Sequence, residues 1–474
     1  MAESQTNSAT ELLLEAGVDL HLEVRGPKLG AGLTDALREA VRSGRLTPGA
    51  RLPASRTLAA DLGIARSTVT ESYAELVAEG WLTAQQGSAT RVAERATARR
   101  TTTAAQRVPV RRRTHGLLPG AADFAEFPRA QWLTASRRAL SAAPPDAFGY
   151  GDPLGRMELR VALAEYLARV RSVYAEPERI IICAGFHHGL ALTAQALIAR
   201  GVRAVAVESY GLDLYRELLT HTGLGIPALS VDEHGARIDE LNGLDGVGAV
   251  LLTPAHQFRT GVALSPERRA AALDWARITG GVVLEDDYDG EFRYDRKPVG
   301  ALQGLDPEGV VYFGTASKSL APALRVSWMV VPDSLLPDIA AAKGSVETVS
   351  VLEQLTLAEF IASGAFDRHV RSRRQSYRRR RDQLVKALAH SAPDIRVTGM
   401  TAGLQAVLEL PAGTEAWVLQ AASRQGLMVS GMAEFRHGGR DPHGPPRDAL
   451  VVNYSAVSDS AWPSALKALC SVMP

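Results

Sequence analysis

Short, almost uninterrupted apolar runs recur through the last three quarters of this chain and limit the folds open to it. Runs without polar alternation are typical of strands buried on both faces, and helix-like stretches between such strands make a sheet mostly parallel. The sequence therefore predicts an α/β domain built on a mostly parallel sheet. The runs are residues 179–183, 204–207, 249–253, 281–284, 310–313 and 326–331.

Chemically informative residues follow four of these runs. Gly185, His256, Asp286 and Lys318 each come shortly after the end of a predicted strand. Ligands of such sheets bind at the carboxyl ends of the strands. We therefore expect these four residues to meet in one composite site.

Lys318 lies among small and hydroxyl residues in a stretch that ends at Arg325. Burial lowers the pKa of a lysine, and a lysine that has lost its proton can attack an aldehyde. The hydroxyls of Thr315 and Ser317, together with Arg325, can hold a phosphate. These features predict a pyridoxal-phosphate (PLP) site centred on Lys318. The alternative is an exposed lysine in a loop.

Helical spacing replaces the apolar runs near the start of the chain. Three helices are predicted there, the second and third joined at Gly63, and two short strands follow Gly80. Two helices joined at a glycine and followed by a small hairpin are typical of a winged helix-turn-helix. We place this domain at residues 18–93, after a flexible stretch at residues 1–17.

The same segment resembles the GntR-type DNA-binding domain over nearly sixty residues. The shared phrases are Ser43-Gly-Arg-Leu, Pro48-Gly-Ala-Arg-Leu-Pro-Ala-Ser-Arg56, Leu58-Ala, Arg66-Ser-Thr-Val and Leu76-x-x-Glu-Gly80. The resemblance implies that four residues contact phosphates and base edges: Arg56, Arg66, Ser67 and Thr68. It also implies that Gly87 lets the wing approach the minor groove. The alternative is a small helical domain whose polar residues are merely solvated.

Residues 94–114 form a predicted linker that is rich in threonine, alanine and arginine and has no periodicity. The net charge of the whole chain is only +1, yet the stretch from Arg91 to Arg113 holds eight arginines and one acid. The linker is a solvated tether, a basic arm that adds salt-dependent DNA affinity, or both.

Other features bear on the class of protein. The two cysteines, Cys183 and Cys470, cannot form a disulfide framework, and no His/Cys spacing suggests a metal. No signal peptide or apolar membrane span is visible, so we expect a cytoplasmic protein.

From about residue 115 the order of motifs resembles the fold-type-I PLP-dependent enzymes, the aspartate aminotransferase class, over roughly 350 residues. The matching motifs are Tyr150-Gly-Asp-Pro-Leu-Gly155, Ile182-x-x-Gly185, Thr253-Pro-Ala-His-Gln-Phe-Arg-Thr-Gly261, Glu285-Asp-Asp-Tyr-Asp289 and Ser317-Lys318. Behind a GntR-type domain, this arrangement resembles the MocR/GabR-type transcriptional regulators, which include PdxR-like regulators of vitamin B6 synthesis. The resemblance implies a fold-type-I domain at residues 115–474, whose smaller α+β part begins at about residue 345.

The resemblance gives each residue around the PLP ring a role. Lys318 would form the internal aldimine, and Asp286 would pair with the protonated pyridine nitrogen. Tyr288 would hydrogen-bond the ring hydroxyl, and His256 would contact the same edge. Tyr210 would stack on the ring from a shifted position, or the stacking contact would be lost.

The phosphate of PLP would lie at a helix N-terminus. The implied contacts are the backbone amides of Gly185, Phe186 and His187 and the side chains of Thr315, Ser317 and Arg325. The family more often has glutamine-like residues at His187 and His188, and these histidines are alternatively a polar helix cap. Tyr150 would act in the site of a neighbouring subunit, in a homodimer that this family often swaps head to tail.

Three segments depart from the family pattern. The phosphate loop 184–189 lacks its usual hydroxyl residue and glutamine, the segment 208–212 lacks the usual Glu-Asp-Pro-Gly-Tyr, and Arg259 stands where proline is usual. The run from Glu285 to Asp289 also has a rival interpretation as a metal-binding carboxylate cluster, but no glycine-containing series of loop ligands follows it. We expect no metal.

Arginines mark the C-terminal part of the chain. The stretch from Arg371 to Arg381 holds seven of them and is either a solvated helix or a second DNA contact. Arg436 and Arg447 are both candidates to receive a substrate carboxylate, and their spacing does not decide between them.

The leading hypothesis is a homodimeric regulator that binds operator DNA and senses PLP, or a PLP adduct with an amino compound, at Lys318. The second is a working aminotransferase that carries a DNA-binding domain. The third, a DNA-binding protein with a degenerate large domain, is disfavoured by Lys318, Asp286 and Tyr288. General similarity favours vitamin B6 control over an amino-acid effector such as γ-aminobutyrate or taurine. The operator and the sign of regulation stay open.

Overall fold

The computed structural model describes residues 29–84, 89–94, 115–120, 123–294, 299–399, 402–437 and 448–474. The chain divides between Val110 and Arg111 into two compact units. Gly87, Arg447 and nearly all of the predicted linker lie outside the described residues. Within the described ranges, no helix is long and apolar enough to span a membrane.

The first unit contains helices and a small hairpin in the predicted order. Its elements are α1 (Leu29–Arg42), α2 (Ser55–Leu62), α3 (Arg66–Ala78), β1 (Leu82–Thr83) and β2 (Arg91–Val92). The apolar residues of α1 that lie three and four apart form its buried face. Gly63 ends α2 with a φ of +62°, a left-handed conformation that glycine adopts without steric cost. β1 and β2 pair antiparallel, which completes a winged helix-turn-helix.

The second unit begins with a short strand and continues as alternating helices and strands. The elements up to the middle of the unit are β3 (His115–Gly116), α4 (Arg129–Ala142), α5 (Met157–Arg171), β4 (Ile180–Cys183), α6 (Phe186–Ala199), β5 (Ala204–Glu208), α7 (Asp213–His221), β6 (Ala228–Leu229), β7 (Val231–Asp232), β8 (Gly235–Ala236), β9 (Val247–Leu252), α8 (Pro266–Thr279) and β10 (Val282–Asp286). The elements after them are β11 (Val310–Thr315), β12 (Ser327–Val330), α9 (Leu336–Lys343), α10 (Val351–Ala362), α11 (Ala365–Ser391), β13 (Arg396–Thr398), β14 (Gln405–Glu409), α12 (Glu415–Arg424), β15 (Leu427–Met428), β16 (Ser430–Gly431), β17 (Ala449–Asn453) and α13 (Trp462–Cys470).

The main sheet of the second unit has the strand order β4-β12-β11-β10-β9-β5-β6. Its strands from β11 to β6 run parallel, and β12 runs antiparallel to both of its neighbours, β11 and β4. The predicted mostly parallel α/β sheet is therefore confirmed. The one reversed strand has the same fully buried apolar pattern as its neighbours, so the pattern alone does not reveal its direction.

Apolar clusters cover both faces of this sheet. One cluster contains side chains of α5 and α10, and two others contain side chains of α6, α9 and α8. Burial on both faces is what near-continuous apolar strands require. It leaves the strand ends as the place where polar groups can meet a ligand.

A second, antiparallel sheet with the order β13-β14-β17-β16 forms the smaller C-terminal part. Its core also contains Leu117, whose backbone N–H donates to the Met428 carbonyl (2.8 Å). The boundary near residue 345 stays a prediction. α10 follows that boundary in sequence, yet it packs against α4 and α5, which belong to the large-sheet part.

The arginine-rich helix α11 has two kinds of arginine. Arg373 and Arg380 are buried and pair with Glu126 and Asp459 respectively. The others lie on an exposed face or, for Arg381, at a partly buried position: Arg371, Arg374, Arg378, Arg379 and Arg381. A largely solvated helix therefore accounts for the geometry, and a second DNA contact stays a prediction.

Candidate functional site

A cavity opens at the carboxyl ends of the main-sheet strands. Four residues of the predicted PLP site line it: Lys318, Asp286, Tyr288 and Tyr210. The other lining residues are Val207, Glu208, Gly211, Leu212, Tyr215, Arg216, Leu251, Thr253 and Phe258. Most of these side chains are apolar or aromatic, as is typical of small-molecule sites.

Lys318 lies in the turn that follows β11, at a partly buried position. Its Nζ donates a hydrogen bond of 3.1 Å to the carbonyl oxygen of Gly120. Burial lowers the pKa of the Lys318 amine, and the nearby Asp286 and Asp289 carboxylates act in the opposite direction. A lowered pKa raises the fraction of neutral amine, the form that attacks an aldehyde.

Asp286 is the last residue of β10, and its carboxyl group is buried against the cavity. Burial, with repulsion from Asp287 and Asp289, raises the pKa of the Asp286 carboxyl well above its ordinary value. No hydrogen bond to its side chain is formed by the described residues. A buried carboxylate without a partner is costly. A cationic ring nitrogen would supply the missing partner.

Tyr288 belongs to a buried polar network on one side of the cavity. Its hydroxyl oxygen lies 3.0 Å from His256 Nδ1, and the same nitrogen lies 2.9 Å from Asp289 Oδ2. A Cβ atom at Gly403 would lie only 2.3 Å from His256 Cε1, so glycine lets the small sheet pack closely on the imidazole. His256 therefore orients Tyr288, although the histidine is not itself among the residues that line the cavity.

The predicted phosphate loop follows β4. Gly185 precedes α6 with a φ of +91°, and the Arg325 guanidinium donates to the neighbouring Ala184 carbonyl (2.5 Å). A Cβ atom at Gly185 would lie 2.9 Å from Arg325 Nη2, so only glycine leaves room for this approach. The first amides of α6 and the Arg325 guanidinium thus meet, as a phosphate site requires.

Hydroxyl groups and histidines flank this loop. Thr315 Oγ1 donates to Ser317 Oγ (3.0 Å) and accepts from the Ser317 amide (3.1 Å). His188 Nδ1 accepts a hydrogen bond of 3.1 Å from the Ala184 amide, so His188 serves as a local cap. His187 is exposed. Phe186 contributes its backbone to the start of α6, while its ring packs 4.6 Å from Tyr215 and 5.1 Å from Phe313.

Three predicted site residues have surroundings or partners other than the predicted ones. Tyr150 is fully exposed and does not line this cavity. Tyr210 lines the cavity, but its side chain also packs in an apolar cluster with Val407, Met432, Phe435, Ala449 and Val451. Arg436 is partly buried and pairs in an isolated β-bridge with Tyr210. Ring stacking and carboxylate binding by these residues stay predictions.

Glu208 lines the cavity and is not among the site residues predicted from the sequence. It ends β5 and accepts hydrogen bonds from Thr253 Oγ1 (2.6 Å) and Gln257 Nε2 (3.2 Å). Burial raises the pKa of the Glu208 carboxyl to about 7. The rule that chemistry gathers at strand ends would have found it, since Glu208 follows the predicted strand 204–207 directly.

The run from Glu285 to Asp289 divides its carboxylates among separate partners. Asp287 forms a buried ion pair with Arg171 (2.6 Å) and accepts from the Tyr312 hydroxyl (2.7 Å). Glu285 accepts from the amides of Leu302 and Gln303. Across the described part of the chain, no group of three or more His, Cys, Asp or Glu residues is arranged to hold a metal ion.

The first unit presents its predicted DNA-contacting residues to solvent. Arg56, Arg66 and Ser67 are exposed and Thr68 is partly buried. No side chain caps the N-terminus of α3, where Arg66 and Ser67 stand. Free amides and an arginine at a helix start suit phosphate and base contacts.

PLP fits the second unit on three observations. An amine with a lowered pKa and a partnerless carboxylate share one cavity, and Gly185 leaves room for a guanidinium beside the first turn of α6. These groups match the aldehyde, the pyridine nitrogen and the phosphate of PLP respectively.

Comparison with known families agrees with this division of the chain. The family described as "Bacterial regulatory proteins, gntR family" matches residues 29–92. The family described as "Aminotransferase class I and II" matches residues 120–461.

Two relatives match most of the chain, and a solved structure matches its larger part. The chain is 32% identical to an uncharacterized HTH-type transcriptional regulator, YdeL of Bacillus subtilis, over 91% of this chain and 94% of the relative. It is 31% identical to the HTH-type pyridoxine biosynthesis transcriptional regulator PdxR of Corynebacterium glutamicum, over 85% of this chain and 88% of the relative. Among solved structures, an archaeal alanine:glyoxylate aminotransferase superposes with a TM-score of 0.68 at 25% identity, over 76% of this chain and 90% of that chain.

Proposed function

The chain belongs to the MocR/GabR-type family of transcriptional regulators, and on that premise we propose that it senses PLP through Lys318 and changes its operator binding in response. Its GntR domain binds DNA, and the cofactor of its aminotransferase-like domain is pyridoxal phosphate. DNA binding also supports a location in the cytoplasm, where a bacterial operator is found.

The side chains around the cavity divide the work of holding the cofactor. PLP supplies an aldehyde that condenses with an amine and a pyridine ring that withdraws electrons. Asp286 would keep the pyridine nitrogen protonated, because a buried carboxylate gains a cationic partner. Tyr288, held by His256, would donate to the ring hydroxyl. Arg325 and the first amides of α6 would hold the phosphate.

The hydrogen bond from Lys318 to Gly120 is the observation that carries the sensing proposal. Lys318 loses its ammonium donors when its nitrogen becomes bound to the cofactor, so this bond is weakened or lost. The preceding residues are held by the small sheet, where Asn453 Nδ2 donates to the Leu118 carbonyl (3.0 Å). The segment from Leu117 to Gly120 follows the predicted linker in sequence. The state of Lys318 therefore bears on a segment that leads from the DNA-binding domain.

PLP itself is the effector we favour. The relative from Corynebacterium glutamicum is named as a regulator of pyridoxine biosynthesis, and it aligns with most of both chains. A PLP adduct with an amino compound would use the same cavity.

The proposed unit of function is a homodimer. Apolar side chains remain exposed on α4, α5, α10 and the segment before α5: Leu133, Leu140, Met157, Val161, Leu352, Phe148 and Tyr150. Because α10 packs against α4 and α5, these helices carry exposed apolar side chains on neighbouring elements, which favours a protein partner, and here the partner is a second copy of the chain. Tyr150, which this chain leaves in solvent, would then complete the neighbour's site.

Mixed dimers test this arrangement. Lys318→Ala removes the amine from its own cavity, and Tyr150→Ala removes the group that would act in the other one. A mixture of the two variants should regain one complete site per mixed dimer, seen as PLP binding with wild-type affinity. No recovery in a mixture shown by mass to contain mixed dimers would contradict the shared site.

Attachment of PLP to Lys318 is tested by absorbance. The full-length protein mixed with PLP should show the absorbance of a lysine-bound cofactor, and Lys318→Ala should abolish it. Lys343→Ala is a matched control, because Lys343 is also buried with a lowered pKa but bonds Thr348 away from the cavity. Equal absorbance in the Lys318 variant would refute the proposal.

A working aminotransferase is the second candidate. Lys318 and Asp286 share a cavity in a fold that is similar to solved aminotransferases. Sustained conversion of an amino acid and a keto acid, at ordinary enzyme rates, would favour this candidate. A single amino-group transfer without turnover would favour the sensor.

A further inference from the structure

Arg259 is a buried arginine without an acidic partner. It is 1% exposed, and among the described residues no carboxylate lies within 4.0 Å of its guanidinium. Its Nε has no hydrogen-bond partner, and its one hydrogen bond to another side chain, from Nη1 to Gln405 Oε1, is 3.4 Å long. Burying a cation in this way is costly unless an anion joins it.

Two phenyl rings cover the faces of this guanidinium. Arg259 Cζ lies 3.7 Å from the Phe258 ring centroid and 3.6 Å from that of Phe435. Cation–π contact offsets part of the burial cost, but it leaves in-plane N–H donors such as that of Nε unused. An arginine presents those donors as a planar fork that matches a carboxylate.

Arg259 borders the cavity through its neighbour in sequence and is not itself among the residues that line it. The adjacent Phe258 lines the cavity and packs edge-on against Tyr288, with ring centroids 5.0 Å apart. Burial lowers the pKa of Lys318 and raises the pKa of Tyr288, and the charge of Arg259 acts downward on both of these cavity residues. Burial in turn lowers the pKa of Arg259 to about 9, with smaller opposing contributions from Tyr288, Glu434 and Tyr215. The one carboxylate among these, Glu434, is exposed and forms no ion pair with Arg259.

The charges of the cavity point to one class of ligand. Asp286 and Glu208 are acidic, Lys318 is committed to the cofactor aldehyde, Arg216 is paired with Asp213, and Arg325 lies against the phosphate loop. Arg259 is thus a cation near the ring for which the site offers no anion. We propose that Arg259 binds the carboxylate of an amino-acid ligand whose amino group reacts at the cofactor. This rests on the attachment of PLP to Lys318 in the proposed function. For an effector that is a PLP adduct, it narrows the ligand class to amino compounds that carry a carboxylate.

The same arginine joins the two parts of the second unit. Phe435 and Gln405 belong to the small C-terminal part, whereas Arg259 and Phe258 lie in a loop of the main-sheet part. Gln405 Nε2 also donates to the Phe258 carbonyl. A carboxylate on Arg259 would therefore change the packing between these parts, which gives ligand binding a structural consequence.

Matched amines test the proposal in full-length protein loaded with PLP. Glycine, β-alanine and γ-aminobutyrate are compared with methylamine, ethylamine and propylamine, which lack only the carboxylate. Affinity is measured from the change in cofactor absorbance as each amine replaces Lys318. We expect wild-type protein to bind at least one carboxylated member about tenfold to a hundredfold more tightly than its partner amine.

Substitutions test whether Arg259 causes the preference for carboxylated amines. Arg259→Gln should bring the ratio close to one and leave the affinity for the plain amines within about twofold. Arg436→Gln, which removes the rival arginine predicted from sequence, should keep the ratio. The proposal is overturned by a wild-type protein without preference, by an Arg259→Gln protein that keeps it, or by loss of preference in Arg436→Gln alone.

A second substitution at Arg259 keeps the inference testable if the first variant misfolds. If Arg259→Gln no longer binds PLP, Arg259→Lys retains the charge without the planar fork and should give an intermediate ratio. An unchanged ratio in Arg259→Lys would then count against the inference. Failure of PLP to attach to wild-type Lys318 would reject the proposed function as well, whereas PLP loading without carboxylate preference would reject this inference alone.

Discussion

The Lys318 Nζ atom lies 3.1 Å from the carbonyl oxygen of Gly120, which accepts its hydrogen bond. This contact joins the chemistry of the cavity to the segment that follows the predicted linker. The Lys318 nitrogen can therefore either donate to this backbone carbonyl or bind the cofactor. A sensor needs such a choice, because a ligand shifts a conformational equilibrium only by interacting differently with the two states.

Asp286→Asn should have opposite effects on PLP binding and on the stability of the cofactor-free protein. The variant lacks the charge that pairs with the pyridine nitrogen, so we expect at least about tenfold weaker PLP binding. It also removes a buried carboxylate with no partner among the described side chains, so the cofactor-free protein should gain about 1 kcal/mol or more at pH 8. Equilibrium titration and chemical denaturation measure the two effects. A variant that loses both PLP affinity and stability would show that Asp286 is needed for the fold itself.

Gly185→Ala should weaken PLP binding through the phosphate loop. Gly185 has a φ of +91°, and an added Cβ would lie 2.9 Å from Arg325 Nη2. Gly201→Ala is the matched control, because Gly201 has a φ of +85° and nothing lies within 4 Å of its added Cβ. Both variants should lose about 1 kcal/mol of stability from backbone strain. Only Gly185→Ala should bind PLP more weakly, and equal PLP affinities would contradict the assigned loop.

Glu208→Gln should change how stability depends on pH. The Glu208 carboxyl keeps its proton to about pH 7 in the folded protein, compared with about 4.5 for an ordinary glutamate. The folded state therefore binds more protons between these values, so stability falls as the pH rises from about 4.5 to about 7. Glutamine has no carboxyl group to titrate, so the variant should avoid this loss of stability, which reaches up to about 3 kcal/mol. Its side-chain oxygen can still accept the hydrogen bond from Thr253. Denaturation of cofactor-free protein should show a larger gain at pH 8 than at pH 5, and equal gains would contradict the assignment.

Arg66→Ala should weaken DNA binding without changing the fold. Arg66 is exposed at the start of α3 and forms no salt bridge within the described chain. Loss of a bidentate base contact should lower operator affinity about tenfold or more. Arg42→Ala, at the exposed end of α1, is the control, and its operator affinity should stay close to that of the wild type. If PLP binding falls together with DNA affinity in Arg66→Ala, the effect is not specific to the DNA surface.

Much of this architecture can be predicted from the order of residues along the chain. Lys318, Asp286 and Tyr288 were selected from motifs at strand ends, and all three line one cavity. Strand ends can be located from apolar runs because the runs stop where the backbone leaves the sheet. The reversed direction of β12 could not be read in this way, since apolar strands look alike in either direction.

Other features depend on contacts between segments that are distant in sequence. Asp289 was grouped with its neighbours as part of a motif, but its role with His256 depends on the packing of two loops. Arg259 was noted only as a departure from a family pattern, and its isolation becomes visible when Phe435 closes over it. The exposure of Tyr150 likewise follows from the fold of a single chain.

The central claim is that attachment of PLP to Lys318 controls DNA binding. It is tested most directly by titrating the full-length protein against DNA from upstream of its own coding region, with and without PLP. PLP should change the affinity of the wild-type protein at least about fivefold, or move its footprint, and should have no effect on Lys318→Ala. No response to PLP in the wild type, or an equal response in Lys318→Ala, would contradict the account.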